Sequence, residues 1–369
     1  MAPDKRRIVK TLAGLILMAC LCFLVVWIYF LRETLVTDPK GVRYTVRSGA
    51  SFKSVTDDLV AEQIIHHPFL FEMLASLKRH ELKSGDYLFR QGTTSQSLLN
   101  QITTGTGLFH YTFTIIAGWN FQHLRDVLLR EPDLQHTTAL MTDAAIMTYL
   151  GQPTLSPEGR FYPDTYFFAK GSSDLLLLKR AYQKMQRTLD AAWQKREPGL
   201  PYQTQNEALT VASLVEKETP LARERVMIAG VIINRLKKDM LLQMDPTVIY
   251  AAGAEYNGTI YKKELMADNP YNTYRRKGLP PTPIAIPGKD SITAALHPAH
   301  HDYYYFVAKN SAMPGEGHQF SKTLAEHEQV VALVRGNSFF GSSWFNDDLI
   351  RLYFLKRLEK DTLHANETK

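Results

Sequence analysis

Ala212-Ser213-Leu214-Val215-Glu216-Lys217-Glu218-Thr219-Pro220 is the stretch on which the reading of this chain turns. An aliphatic run ends in two carboxylates, and the Thr-Pro pair that follows stops a helix at once. Leu209, Val211, Ala212, Leu214 and Val215 share one broad helical face, which predicts a helix packed into a core. Glu218 follows Leu214 and Val215 by one helical turn and sits over that apolar face. Glu216 points about 200° away from it, at roughly 100° per residue. Two carboxylates so placed cannot face each other as an acid–base pair, so at most one of them does chemistry. Apolar neighbours and the negative end of the helix dipole both favour the protonated form of a carboxyl at Glu218. A proton-holding carboxyl suits protonation of the leaving oxygen of a sugar polymer. On these residues alone, a Glu at a helix end is more often a surface group or a salt-bridge partner of Arg223 or Arg225.

Downstream, Thr219 reads as the cap of the next helix and Pro220 as its first residue, with Val226, Ala229, Ile232, Ile233 and Leu236 on its buried side. A turn-rich polar segment follows, Gln243-Met244-Asp245-Pro246-Thr247-Val248. Then come Asn269-Pro270-Tyr271-Asn272-Thr273-Tyr274 and Gly278-Leu279-Pro280-Pro281-Thr282-Pro283-Ile284. Rigid prolines beside Asn, Thr and Tyr suit a groove for an uncharged polar polymer, with aromatic faces against sugar rings; an ordinary surface loop has the same composition. The cluster His297-Pro298-Ala299-His300-His301-Asp302 matches neither a zincin helix nor a usual structural zinc spacing. No nucleophile elbow, Walker loop or dinucleotide fingerprint occurs.

At the amino end, Lys5, Arg6, Arg7 and Lys10 precede an uncharged apolar run from Thr11 to Leu31, about the 20 residues that a spanning helix needs. Basic residues on the short leading side predict a cytoplasmic tail at 1–10, a transmembrane helix at 11–31 and export of the remainder. A cleaved signal peptide has a shorter apolar core ending in small residues, whereas this run continues through Phe23, Val25, Val26, Trp27, Ile28, Tyr29 and Phe30. Both cysteines, Cys20 and Cys22, lie inside the run, so the exported part carries no disulfide and must be held by its core. The 369 residues allow two domains, and the net charge of +6 comes from acids and bases mixed along the chain. With no basic stripe interleaved with aromatics, nucleic acid is not an expected partner.

After a polar linker at 37–41, Tyr44-Thr45-Val46-Arg47-Ser48-Gly49-Ala50-Ser51 reads as a strand, a turn and a helix start. A second amphipathic segment, Phe69 to Leu77, precedes Leu82-Lys83-Ser84-Gly85-Asp86-Tyr87-Leu88-Phe89, again turn and strand. Strand, helix, helix, strand makes a small two-layer unit. It resembles a LysM-like module, carried by the opening Tyr-Thr-Val and the closing Leu-Lys-x-Gly-x-Tyr; a small α+β spacer that binds nothing reads the same way. A strand over 109–116 and a helix opened by Gly118-Trp119-Asn120 begin a larger domain of mixed helices and short strands. The fold class is therefore α+β: a transmembrane helix, a small module at 42–107, a larger domain at 108–335 and an extension at 336–369. Leu349, Leu352, Tyr353, Leu355 and Leu358 predict one amphipathic helix in that extension.

Several blocks together resemble the YceG-like (MltG-type) endolytic murein transglycosylases of bacteria. They are Gly159-Arg160-Phe161-Tyr162-Pro163-Asp164-Thr165-Tyr166, Ala212 to Thr219, Ile233-Asn234-Arg235-Leu236 and Asp245-Pro246-Thr247-Val248-Ile249-Tyr250. Tyr271-Asn272-Thr273-Tyr274, Gly278-Leu279-Pro280-Pro281, His297-Pro298, Tyr304-Tyr305-Phe306-Val307 and His318-Gln319-Phe320 continue the series. The resemblance implies that Glu218, the second glutamate of Glu-Lys-Glu-Thr, is catalytic. It also implies non-hydrolytic cleavage of MurNAc–GlcNAc bonds inside nascent glycan strands, with a 1,6-anhydro ring closed by the sugar's own C6 hydroxyl. No second carboxylate, metal or cofactor is then expected, unlike the two-carboxylate hydrolases. Gln243, Asp245, Tyr271, Asn272 and Tyr274 are the candidates for holding the sugar. The expected setting is a bacterial inner membrane crossed once, with the catalytic domain in the periplasm, glycan strands as substrate and peptidoglycan synthases as candidate partners. The alternative is a non-catalytic wall-binding scaffold that recruits those synthases. Where the family often has Glu-Gly, this chain has Ala117-Gly118.

Overall fold

The computed structural model describes residues 5–47, 49–78, 81–309 and 316–336. The amphipathic helix expected after residue 336 lies outside the described residues. The described residues form two compact units, one up to 113 with returns at 133–135 and 167–172, the other from the rest of them.

The first unit opens with helix α1 (Lys5–Arg32), apolar and long enough to cross a membrane over Leu12–Arg32. Strand β1 (Val42–Val46), helices α2 (Phe52–Ala61) and α3 (Pro68–Lys78) and strand β2 (Gly85–Phe89) follow, then α4 (Ser95–Thr104). β1 and β2 pair antiparallel, from Val42 opposite Phe89 to Val46 opposite Gly85. Tyr44 and Val46 from β1 meet Tyr87 and Phe89 from β2 in a core completed by Val55, Leu59, Phe71, Leu98, Leu99 and Ile102. Ser51 caps α2 and Thr94 caps α4, each accepting the N–H three residues on, and Gly105 in the left-handed region ends α4. One expectation changes here. The polar stretch at 37–41 does not separate the anchor from the module, because Phe30 and Val36 are buried in the same core as Tyr44. The Leu35 N–H bonds the Thr93 carbonyl at 2.8 Å and the Gly92 N–H bonds that of Val36 at 2.9 Å.

Short strands β3 (Tyr111–Thr114), β4 (Leu134–Gln135), β5 (Thr165–Phe168) and β6 (Ser172–Ser173) pair as β3 with β5 and β4 with β6. Helices α5 (Phe121–Leu128) and α6 (Asp143–Tyr149) lie between them in sequence, α5 capped by Asn120 as Gly118-Trp119-Asn120 predicts. The second unit continues with α7 (Asp174–Gln194), α8 (Gln205–Glu218), α9 (Ala222–Lys237), α10 (Asp245–Ala252), α11 (Lys262–Met266) and α12 (Lys289–Leu296). The antiparallel strands β7 (Tyr305–Ala308) and β8 (His318–Ser321) and helix α13 (Leu324–Gly336) complete it.

Helix α8 is the centre of this unit. Thr204 and Glu207 form a capping box at its start, and α7, α9, α10 and α12 pack around it. The sequence predicts one apolar face, yet every residue from Ala208 to Val215 is buried. The added polar positions satisfy themselves locally: Thr210 Oγ1 donates to the Asn206 carbonyl at 2.9 Å and Ser213 Oγ to that of Thr210 at 2.7 Å. Ser213 Oγ also accepts the Ile284 N–H at 3.0 Å, so α8 can be enclosed without stranding a polar group. Burial of Leu209, Val211, Leu214 and Val215 stabilises the unit by about 2 kcal/mol per side chain.

Candidate active site

Helix α8 stops at Glu218 and Thr219 turns into extended backbone, as the Thr-Pro pair predicts. The next helix, however, starts at Ala222, two residues later than expected for Pro220 at its first position, and Leu221 is its N-cap. The reason is the Thr219 hydroxyl. It accepts the Leu221 N–H at 3.1 Å and faces Glu224 Oε2 at 3.5 Å. Glu224 in turn accepts the His318 backbone N–H at 2.9 Å and lies 2.7 Å from His318 Nδ1. Burial alone would raise the Glu224 carboxyl, but these bonds and the nearby positive charge outweigh it and hold it below the usual range. The turn that carries Glu218 is thereby tied to β8.

Glu216 is fully engaged in structure. Its Oε1 pairs with Arg225 Nη2 at 3.2 Å, and its Oε2 accepts the Gly288 N–H at 2.9 Å and the Ser291 hydroxyl at 2.7 Å. It thus anchors the start of α12 while holding Arg225. The two side chains are only 7% and 14% exposed, so removing one leaves a buried charge without its partner. Glu216→Ala is expected to cost about 3–5 kcal/mol of stability by urea unfolding, with Glu216→Gln milder because its amide oxygen still accepts from Gly288 and Ser291.

Glu218 is half-buried, with Oε2 shielded from solvent. Arg235 of α9 lies within its electrostatic reach, a buried guanidinium whose charged form burial disfavours and the Glu218 carboxylate favours. Arg235 Nε donates to the Tyr304 carbonyl at 2.6 Å, and Nη1 to those of Leu242 at 2.7 Å and Leu241 at 3.3 Å. Its guanidinium lies 5.3 Å from the centre of the Tyr305 ring. Behind that ring, at 5.4 Å, stacks His327, pushed down to about 4 by burial and then by the Arg235 charge. The sequence reading includes Arg235 only within a resemblance block. Its signal was an arginine closing the apolar run Ile228 to Ile233 in a helix whose neighbours on the same face are buried.

The predicted sugar-holding residues fall in two loops that are stitched together. The Gln243 N–H bonds the Thr273 carbonyl at 3.0 Å, the Met244 N–H bonds Thr273 Oγ1 at 3.0 Å, and Thr247 and Thr273 hydroxyls meet at 2.9 Å. Part of the expected polar turn is helix, because Pro246 stands in the first turn of α10, where its missing N–H costs nothing. Asp245 Oδ1 accepts the Tyr274 hydroxyl at 2.5 Å. Asn272 is buried. Its amide donates to the carbonyls of Glu264, Leu265 and Ala267, and its oxygen accepts the Tyr274 N–H. Asn272 and Tyr274 therefore shape the loop. Gln243 and Tyr271 are half-buried, and Gln243 holds a left-handed φ of 51°, unusual for a residue with a side chain. Tyr271 bonds Thr282 Oγ1 at 2.9 Å and its ring lies 4.9 Å from that of Tyr250.

Tyr250 leads to a carboxyl that sequence reasoning missed. Its hydroxyl donates to Glu158 Oε2 at 3.0 Å, and Glu158 also accepts the Phe121 N–H at 3.0 Å and the Gly159 N–H at 3.2 Å. Burial outweighs these donors and raises Glu158 to about 7. The folded state then keeps this proton up to about pH 7 while the unfolded chain releases it near 4.5. The folded state binds more protons in that window, so its stability falls as pH rises through it, by on the order of 3 kcal/mol. Urea unfolding at stepped pH is expected to show this slope in the native chain and to lose it in Glu158→Gln.

His301, from the histidine cluster, is occupied elsewhere. Its Nδ1 accepts the Tyr303 N–H at 3.1 Å, and Nε2 faces the Met227 carbonyl at 2.9 Å, which fixes the proton on Nε2. Gly230 makes room for this segment, since a Cβ there would stand 2.5 Å from the Ala299 carbonyl. His300 pairs with Glu197. Among the described residues no group of three His, Cys, Asp or Glu could hold a metal ion.

A central buried helix thus carries a half-buried carboxylate at its end, within electrostatic reach of the buried Arg235. The chain belongs to the YceG-like family, whose model matches residues 44–333. It is 31% identical over 306 residues to an endolytic murein transglycosylase of Bacillus subtilis, covering 78% of this chain and 83% of that protein. It is 26% identical over 316 residues to one from Streptococcus pneumoniae, covering 76% of this chain and 57% of that longer protein. A crystal structure of a YceG-like protein from Listeria monocytogenes superposes with a TM-score of 0.50 at 27% identity, covering 79% of this chain and 99% of that one.

Proposed function

We propose that this protein is an endolytic murein transglycosylase with Glu218 as its one acid–base group. Glu218 protonates the oxygen bridging MurNAc and GlcNAc, and the bond from C1 of MurNAc to that oxygen breaks. The resulting carboxylate takes the proton of the C6 hydroxyl of the same MurNAc, whose oxygen bonds C1 and closes a 1,6-anhydro ring. No water is consumed and Glu218 ends as it began. The observation that carries this reading is the division of labour in Glu-Lys-Glu: Glu216 is spent on Arg225 and α12, while Glu218 stands at the helix end, half-buried and within electrostatic reach of Arg235. Arg235 supplies the countercharge that the intermediate carboxylate needs, against the unfavourable helix dipole. Gln243, Asp245 and Tyr271 are the sugar-facing groups in this reading, with Asn272 and Tyr274 holding their loop.

Residues 42–107 form a LysM-like module in this reading, which their strand–helix–helix–strand order supports. Residues 11–31 anchor the chain in the inner membrane, with 1–10 in the cytoplasm and the catalytic domain at 108–335 in the periplasm, where it terminates strands made by nearby peptidoglycan synthases. Incubation with purified murein followed by mass spectrometry of the soluble products tests the reaction. Anhydro-MurNAc ends are expected, and ordinary reducing ends in their place would make the protein a muramidase.

A further inference from the structure

We propose that helix α3 is an interfacial helix, lying in the outer surface of the same bilayer that α1 crosses, with its Phe69–Leu77 face among the lipids. The inference rests on the anchor reading of α1.

The first observation is one of depth. The apolar segment of α1 is 21 residues, Leu12–Arg32. At 1.5 Å per residue it is about 31 Å long, and the hydrocarbon layer is about 30 Å thick, so the whole segment is needed to cross. Yet its last turns also belong to the folded unit. Phe30 is buried in the unit's core and Trp27 and Leu31 pack against it. Trp27 lies about 7 Å below the end of the segment along the helix axis. Ile28 and Tyr29, on the other side of the same turns, stay exposed. The rim of the unit that grips α1 therefore sits within the outer edge of the bilayer.

The second observation is that α3 begins at that rim. His67, the residue before α3, lies 3.6 Å from Glu33, the residue after α1, and its ring packs edge-on against Phe30 at 6.3 Å. From there α3 runs as Pro-Phe-Leu-Phe-Glu-Met-Leu-Ala-Ser-Leu, apolar well beyond what its core face needs. Phe71, Leu74 and Ala75 face inward and are buried. On the outer side Phe69 and Leu77 are 73% and 70% exposed. At 100° per residue Phe69, Met73 and Leu77 fall in one arc of about 80°, bordered on one side by Ser76 and Glu72 and on the other by Leu70, which packs against the core. An outward apolar arc on a helix that starts at the membrane exit has lipid as its fitting partner.

The test uses the full chain with Cys20→Ser and Cys22→Ser, reconstituted into vesicles of phosphatidylethanolamine and phosphatidylglycerol. Single nitroxide labels go onto Phe69→Cys, Leu77→Cys, Leu17→Cys within the anchor, and Lys237→Cys as the water reference. Labels at 69 and 77 are expected to lose accessibility to a water-soluble nickel chelate and gain it to oxygen, with a ratio several-fold above that at 237. If they match position 237 while position 17 reports lipid, the interfacial helix is wrong and the anchor stands. If position 17 also reports water, the anchor reading fails and this inference falls with it. Low accessibility to both reagents at 69 and 77 would mean a protein cover and would overturn the lipid assignment.

Discussion

Glu218→Gln is expected to abolish release of anhydro-MurNAc products, lowering turnover by about 10²–10⁴-fold, the usual worth of a positioned general acid. The loss should lie at the high end, because the same oxygen both delivers the first proton and removes the second. The amide can do neither. Folding should survive the change: Glu218 ends its helix, half-buried, and the buried residues of α8 stop at Val215. Binding to intact murein should also survive. That separation distinguishes an enzyme from a wall-binding scaffold, for which the variant would still complement a strain lacking the gene. Full complementation by Glu218→Gln, with no anhydro ends formed, would defeat the catalytic reading.

What the sequence made legible follows from where its signals are local. Capping residues and helix stops are local, so Asn120 before α5, Ser51 before α2 and the end of α8 at Glu218 are readable directly. The start of α9 is not local, because the Thr219 hydroxyl bonds Leu221 and Glu224, and Glu224 is held by His318 from a strand 94 residues away in sequence. The linker at 37–41 read as a spacer by composition, but the core that absorbs Phe30 and Val36 is made by pairing β1 with β2.

The site shows the same division. The opposed directions of Glu216 and Glu218 follow from helical geometry alone, and the structure agrees by giving Glu216 to Arg225 and α12. What each candidate loop residue does was not legible, because Asn and Tyr look alike in sequence whether they face a ligand or satisfy their own backbone. Asn272 spends its amide N–H groups on the carbonyls of Glu264, Leu265 and Ala267 and its oxygen on the Tyr274 N–H. Glu158 sits in a turn without periodicity, and only the approach of Phe121 and Tyr250 makes it a buried, proton-holding group.

Arg235→Leu is expected to be the most destabilising single change in the second unit. The leucine fills part of the space but strands the carbonyls of Tyr304, Leu241 and Leu242, which the buried guanidinium now satisfies. Each buried acceptor left without a donor costs about 1–3 kcal/mol, so the sum, on the order of 5 kcal/mol, is a large fraction of a domain's stability. Arg235→Lys keeps the charge near Glu218 but replaces a planar fork by one ammonium that cannot reach both Tyr304 and Leu242. It should therefore recover less than half of the lost stability. The two variants separate structure from chemistry when murein cleavage is measured well below their unfolding midpoints. There Arg235→Leu, lacking a countercharge for the Glu218 carboxylate, should be at least about tenfold slower than Arg235→Lys, a difference of roughly 1.4 kcal/mol in the barrier. Equal rates for the two folded variants would reduce Arg235 to a loop clamp. Unfolding midpoints unchanged from the native chain would remove even that role.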